Sequence, residues 1–389
     1  MSVHNRMSVL MNNSALRGVA IQVLLGMAML SVAWVIAQNA AGNLQRANIR
    51  SGFDFLDARA GFEIARPLIQ YTSDSTYGRA LVVGLLNTML IAATGIVAAT
   101  IIGFLVGIGR LSSNWLIARL CALYVEVFRN LPPLLLVFFW YLGILSVLPQ
   151  PRESLRLPLN LFLNNRGLTF PAPVPSEGLG GVAAVFVAGL LLSFVLARWA
   201  RIRQAKTGRR FPTLLVSVGL VVVLTTVAFV AAGAPLSFNY PVAGTFNITG
   251  GTVLGPEFIS LFMALSFYTA SFIAEIVRAG IQGVPKGQTE AAKALGLKPS
   301  AVMSLIVIPQ AFRIIIPPLT SQYLNLTKNS SLAIAVGFSD LIAVGGTTLN
   351  QTGQAIEIIA IWMLIYLTLS VMTSVFMNWF NAKVALVER

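Results

Sequence analysis

Only one cysteine (Cys121) and one histidine (His4) occur in the 389 residues. That scarcity excludes a disulfide framework within the chain and a multi-cysteine or histidine-rich metal site. Charge is scarce too: Asp, Glu, Lys and Arg make up 10% of the chain, where a soluble domain carries about 25%. The charges are unbalanced, with 27 Lys+Arg against 13 Asp+Glu and a formal net charge of +14. They form no single groove-facing stripe, so nucleic acid is not an expected partner. A G-x-x-x-x-G-K-S/T phosphate loop is missing, so the chain is not expected to hydrolyse ATP. With one His in a polar tail and one unpaired Cys, there is no nucleophile with a base, and no catalytic residue is assigned. What the chain does have is 56% apolar residues in long runs, the composition of an all-α polytopic membrane protein.

A membrane helix takes about 20 mostly apolar residues. About eight stretches qualify, roughly 19–37, 80–109, 114–148, 180–197, 213–233, 256–279, 312–335 and 355–380. Pro132–Pro133 predicts a break in the third, because neither residue offers an N–H and each clashes with the preceding turn. In the seventh, Asn325, Lys328, Asn329 and Ser330–Ser331 interrupt the apolar run and predict a broken helix. The first stretch also reads as a signal peptide with Val35-Ile36-Ala37 as a cleavage site, but its apolar run is long, which favours an uncleaved anchor.

Orientation is set by the basic residues that flank the spans. With the N-terminus in the cytoplasm, 17 Lys+Arg fall inside and eight outside, so both termini are expected there. The exception is the outer loop 38–79, which carries five arginines nearly balanced by Asp54, Asp57, Glu63 and Asp74. Its Phe53, Phe55, Leu56, Phe62 and Ile64 suggest a loop resting on the bilayer interface. The fourth and fifth stretches are joined by RWARIRQAKTGRR (198–210), and such a hairpin can be inserted without inverting the spans downstream of it. The simplest reading of this basic loop is a topological anchor; contact with anionic lipid or a partner is the other reading.

Between the sixth and seventh stretches, IQGVPKGQTEAAKALGLKPSAVMSLIVIPQAFRIIIPP (281–318) is punctuated as two short helices. Pro285 suits a first helical turn, and Gln288 to Leu295 are good helix formers. Gly296 can take the left-handed conformation that closes a helix. Pro299 opens a second helix, which Pro309 ends or kinks. Ala291, Ala292 and Ala294 offer a smooth face for another protein, framed by Glu290, Lys293 and Lys298. A surface helix-turn-helix with no partner fits the pattern equally well.

E-A-A-K-A-L-G (290–296), nine residues, then I-V-I-P (306–309) resembles the EAA signature of membrane subunits of bacterial ABC importers, with Ile308 replacing the usual Leu. GLLNTMLIAATG (84–95), YVEVFRNLPPLLLVFFWY (124–141), YTASFIAEIVRAGIQGVPKGQTEAAKALGL (268–297) and LTKNSSLAIAVGFSDL (326–341) resemble the polar-amino-acid branch of that family. The resemblance implies a five-helix type I importer core in 80–148 and 256–389, with a cytoplasmic coupling loop over 284–312. Two additions mark the chain: the anchor span and outer loop 1–79, and the two-span hairpin 149–255. Large membrane subunits of general L-amino-acid importers look similar in both respects.

That resemblance implies an inner-membrane location and a set of partners. A periplasmic binding protein delivers an amino acid, a second, shorter membrane subunit completes the path, and two ATPase subunits carry ATP and Mg. No cofactor or metal is expected on this chain. Segment 286–298 would be the coupling helix, with Glu290, Ala291, Ala292, Lys293 and Gly296 as the residues that meet the ATPase. Glu126 with Arg129, and Glu275 with Arg278, are three residues apart and share a helix face, so each pair can neutralise itself near a gate or pin helices. Asn325, Thr327, Lys328, Asn329 and Ser330, with Thr269 and Ser271, are candidate substrate-path groups. The ordinary use of Ser and Thr in packing membrane helices stands against that assignment. The rival is an ion-coupled secondary carrier relaying protons through Glu126, Glu357 or Asp340, a reading that leaves the EAA loop without a task.

Overall fold

Long apolar runs fold as helices in lipid because only there does a segment satisfy its own N–H and C=O groups. The computed structural model describes residues 14–46, 52–208, 211–244 and 247–384. Arg6, Arg50, Arg209, Arg210 and Arg389, which entered the charge count above, lie outside them, as does His4. Seven described helices are long and apolar enough to cross a membrane, or up to eight when a bent pair counts as one span. Contacts divide the chain into two units, Met1–Val97 with Ile273–Arg389, and Ala98–Phe272.

In the first unit, α1 (Ser14–Arg46) runs helical through 35–37, and its apolar stretch Gly18–Ile36 is 0% buried within the chain. Segment 52–76 comes next as a folded cap. Its Phe55, Ala60 and Ile64 are buried in one cluster with Tyr77, Ala80, Leu81 and Val83 at the start of α2 (Tyr77–Gly109), and with Leu341, Val344 and Ile358. Polar bonds fix the cap: the Gly52 N–H donates to Glu357 Oε1 (2.9 Å), and Tyr71 Oη donates to the Phe62 carbonyl (2.9 Å). This corrects the interfacial-loop reading. Phe53 stays exposed, but Phe55, Leu56, Phe62 and Ile64 are covered by protein because the chain supplies a closer apolar surface than lipid.

In the second unit, the Asn114 side chain caps α3 (Trp115–Asn130) by accepting from the Leu116 and Ile117 N–H groups. Leu131 and Pro132 are extended, as the residue before a proline favours. Pro133 then opens α4 (Pro133–Phe138), which passes into a π turn over Phe139–Leu145, and the second limb is bent by 108° from the first. Beyond it lies short β structure that a purely helical expectation missed. Strands β1 (Leu155–Leu157), β2 (Leu161–Asn164), β3 (Gly167–Phe170) and β4 (Ala172–Pro175) precede a helical hairpin. That hairpin is α5 (Leu179–Thr207) and α6 (Thr213–Ala231). β5 (Leu236–Asn239), β6 (Val242–Ala243), β7 (Ile248–Thr249) and β8 (Thr252–Leu254) come after it. An antiparallel sheet of order β1-β2-β3-β8 and the pair β4-β5 tie the two flanks of the hairpin together, while β6-β7 is a small hairpin within the second flank. Alternation in L-R-L and L-F-L-N was the available signal, but three- and four-residue runs are too short to stand out from a loop.

α7 (Pro256–Gln282) passes from the second unit into the first. There α8 (Lys286–Ala294) and α9 (Pro299–Val302) come next, and a π turn over Met303–Val307 leads into α10 (Ile308–Asn329). Pro309 therefore neither ends nor breaks the helix. It occupies the first turn of α10, where its missing N–H costs nothing, and the π turn before it absorbs the change of register. The expected interruption at 325–331 is also corrected: α10 runs intact through Asn329 and tightens into a 3-10 turn, Ser330–Val336, closed by Gly337. Helices α11 (Leu341–Thr352) and α12 (Ala355–Val384) complete the unit.

Candidate functional site

Pro285 is extended (ψ 130°) and hands the chain into α8, with the Gln288 N–H reaching the Pro285 carbonyl at 3.0 Å. At the other end the Gly296 N–H bonds the Lys293 carbonyl (2.9 Å) and the Leu297 N–H bonds the Ala292 carbonyl (3.2 Å). These two bonds make a Schellman closure, which needs a left-handed residue at its centre. Gly296 supplies it at φ +75°, and no atom lies within 4 Å of where a Cβ would stand. Conformation, not crowding, demands glycine there.

The EAA residues divide between two faces. Glu290, Ala291, Lys293 and Ala294 are exposed, while Ala292 is buried (2% exposed). Ala292 is therefore not part of the smooth outer face expected of the three alanines, because residues one apart on a helix point in different directions. The inner side of α8 rests on the π turn 303–307. Leu295, 81% exposed, stands at the tip beside Gly296, an apolar anchor that the sequence pattern did not single out.

Behind the loop, α7 meets α10 closely at Gly280 and, one residue past its end, at Gly283. A Cβ on Gly280 would overlap Ile315 Cγ1 and stand 3.3 Å from the Ala311 carbonyl. Val284, buried between Gly283 and Pro285, fixes the step from α7 to α8. The chain thus connects α8 to α7 through this short link and to α10 through the π turn. Arg278 pairs with Glu275 at 2.5 Å and donates to Gln282 Oε1 at 2.8 Å, one string along the C-terminal end of α7.

Glu126 is exposed, and the Arg129 guanidinium lies 5.2 Å from the Phe272 ring centre, a cation–π contact. Nearby is an aromatic cluster that sequence reasoning missed. Tyr124, Phe128 and Trp140 gather on Phe267, and Tyr124 Oη donates to the Phe267 carbonyl at 2.7 Å. Both limbs of the bent span thereby hold the same turn of α7. The aromatics and the proline break were both visible in the sequence, but not that the break turns Trp140 back onto Phe267.

Among the candidate path residues, Thr327 and Ser330 are buried and donate to the Tyr323 and Thr327 carbonyls of their own helix. Ser271 likewise donates to the Tyr268 carbonyl, and Thr269 is buried. Asn325 and Lys328 are exposed and Asn329 half-buried, on an intact helix that offers no free backbone groups there. Elsewhere in the same unit, a cavity of about 350 Å³ is lined by Phe62, Glu63 and Ile64 of the cap with Ser339, Thr347 and Asn350.

Asp340 is fully buried and caps α11 by accepting from the Ala343 N–H at 2.8 Å, while its Oδ2 has no hydrogen-bond partner among the described residues. Burial pushes its carboxyl up to about 6 against the pull of the backbone N–H bonds. Around it, Asn87 Nδ2 donates to the Ser339 carbonyl (2.8 Å), the Leu341 N–H to Thr88 Oγ1 (3.0 Å) and Trp362 Nε1 to the Leu341 carbonyl (3.0 Å). Among the described residues no group of three or more His, Cys, Asp or Glu is placed to hold a metal.

Residues 95–386 match the model of the family described as binding-protein-dependent transport system inner membrane component. The chain is 65% identical to the general L-amino acid transport system permease protein AapQ of Rhizobium johnstonii over 96% of its own length and 93% of that protein. It is 46% identical to the putative amino-acid ABC transporter permease protein YhdX of Escherichia coli, over 97% and 96% of the two chains. With the glutamate/glutamine/aspartate/asparagine transport system permease protein BztB of Rhodobacter capsulatus it shares 40% identity, over 99% and 97%.

Proposed function

Because the chain belongs to the family of binding-protein-dependent transport system inner membrane components, we propose that it is a membrane subunit of an ATP-driven amino-acid importer, coupled to its motor through α8. The observation that carries this reading is the form of the EAA loop: a short helix with an exposed face, set by a glycine closure and attached to two membrane helices. In this reading both termini lie in the cytoplasm, as the 17 inner and eight outer Lys+Arg favour. Two ATPase subunits hold ATP and Mg on that side. A periplasmic binding protein delivers the amino acid outside, and a second, shorter membrane subunit completes the path.

Closure of the ATPase pair carries α8 with it. Glu290, Ala291, Lys293 and Leu295 form the contact, with Leu295 filling an apolar depression and the small Ala291 letting the surfaces approach. The lock of Gly280 on Ile315 passes this displacement to α7 and α10 as one body, which opens one side of the path and closes the other. Glu275, Arg278 and Gln282 hold the inner end of α7 rigid during that motion. Uptake of labelled amino acids into proteoliposomes holding the whole assembly tests the reading. It should require ATP and loaded binding protein and survive collapse of the proton gradient. Uptake that persists without ATPase subunits and fails with the gradient would replace it with the ion-coupled carrier.

A further inference from the structure

The basic tip of the hairpin has a structure that a topology signal does not need. Within 198–210 there are six Lys or Arg and no acid. Trp199 and Arg203 are one helical turn apart on α5, and the Arg203 guanidinium lies 5.2 Å from the Trp199 ring and 5.9 Å from the Phe211 ring. The two rings meet edge to face at 5.5 Å. Stacking uses the planar face of a guanidinium and leaves its N–H edge as a donor fork of the shape that a phosphate accepts. Arg198, Arg201 and Lys206 lie on the same last turns, and Arg201 and Lys206 are exposed.

Directly below this cluster the hairpin is apolar on every side. The two helices pack at Gly189, where an added Cβ would stand 3.5 Å from Val221, and at Ser193, which donates to the Ser217 carbonyl. Beyond that seam α6 is 0% buried, and Leu214 and Leu215, just past Phe211, are 80% and 79% exposed. Cationic donors and aromatic rings at the end of an apolar flank match a phospholipid from headgroup to acyl chain.

We infer that the tip of the α5–α6 hairpin is a binding site for an anionic phospholipid, with Arg203 held against the Trp199 and Phe211 rings to fork the phosphodiester while Arg198, Arg201 and Lys206 supply further charge. The inserted hairpin thereby fastens the subunit to the acidic leaflet. An acidic segment of another membrane protein is the competing occupant.

The test is lipid retention by the purified assembly in nanodiscs of mixed phosphatidylglycerol and phosphatidylcholine, read by native mass spectrometry. The informative variants are Arg198, Arg201 and Arg203 all to Lys, which keeps every charge and hence the topology, and Trp199→Leu. Wild type should retain phosphatidylglycerol over phosphatidylcholine, and both variants should lose it severalfold with unchanged assembly and melting. Replacing the three arginines by Gln should cost on the order of a hundredfold. Full retention by the lysine variant would reduce the cluster to diffuse attraction and overturn the site. Absence of lipid selectivity, or crosslinking of the tip to an acidic stretch of a companion protein, would overturn it as well.

Discussion

Gly280 of α7 and Ile315 of α10 are in contact with no room for a single additional carbon between them. That relationship joins the two helices on either side of the coupling loop into one lever. Gly280→Val should therefore cost about 1–3 kcal/mol through overpacking and shift α7 off α10. The expected outcome is a lowered melting temperature and a loss of binding-protein-stimulated ATP hydrolysis larger than the loss of assembled complex. Pairing it with Ile315→Ala, which returns the space, should restore part of the stimulation.

Gly296 is under a different constraint. Its surroundings are empty, but its φ of +75° disfavours a branched residue by roughly 1–2 kcal/mol. Gly296→Val should insert normally and assemble, yet lose most of its substrate-stimulated ATPase rate, because the Schellman closure re-forms in another direction. Gly296→Asn, which tolerates the left-handed region, should retain much more of it. Equal activity of the two variants would remove the geometric argument.

Asp340 makes stability depend on pH. Its folded-state pKa is raised to about 6 from 3.8, so the folded chain prefers the neutral acid. No stability is therefore lost below the unfolded value of 3.8, the loss accumulates as pH rises toward 6, and it is complete above that. At pH 7.5 the penalty is on the order of 3 kcal/mol. Asn caps a helix as well as Asp does. Asp340→Asn should then melt higher than wild type at pH 7.5, and the gap should shrink to roughly half at pH 5. Thermal unfolding at the two pH values checks this.

The cap gives a fourth prediction. Phe55 is 7% exposed within the cluster that joins 52–76 to α2, α11 and α12. Phe55→Ala should destabilise by about 3–5 kcal/mol and make the cap accessible to protease added outside. Phe53→Ala, two residues away and half exposed, should do neither.

The spans were legible in the sequence because twenty-residue apolar runs have one economical conformation in lipid. The bend at Pro132–Pro133 and the turn at Gly296 were equally legible, since proline and glycine act through local stereochemistry. What stayed hidden depends on partners distant in sequence. Phe55 and Ile64 read as lipid-seeking until α11 and α12 are folded against them. Asn325 to Ser331 read as a break, although Thr327 donates to the preceding turn within an α-helix that runs through Asn329, and only at Ser330 does the chain tighten into a 3-10 turn. Ala291 and Ala292 read as one face until the π turn at 303–307 showed which of them turns inward.

That last distinction provides the most direct test of the coupling account. A photo-crosslinking residue is placed at Ala291 or at Ala292 in the complete assembly, and adducts with the ATPase subunit are measured with and without ATP. The account predicts a strong crosslink from position 291 that changes with ATP, and little or none from position 292. Equal crosslinking from both positions, or none from 291 in an assembled complex, would contradict the role given to α8.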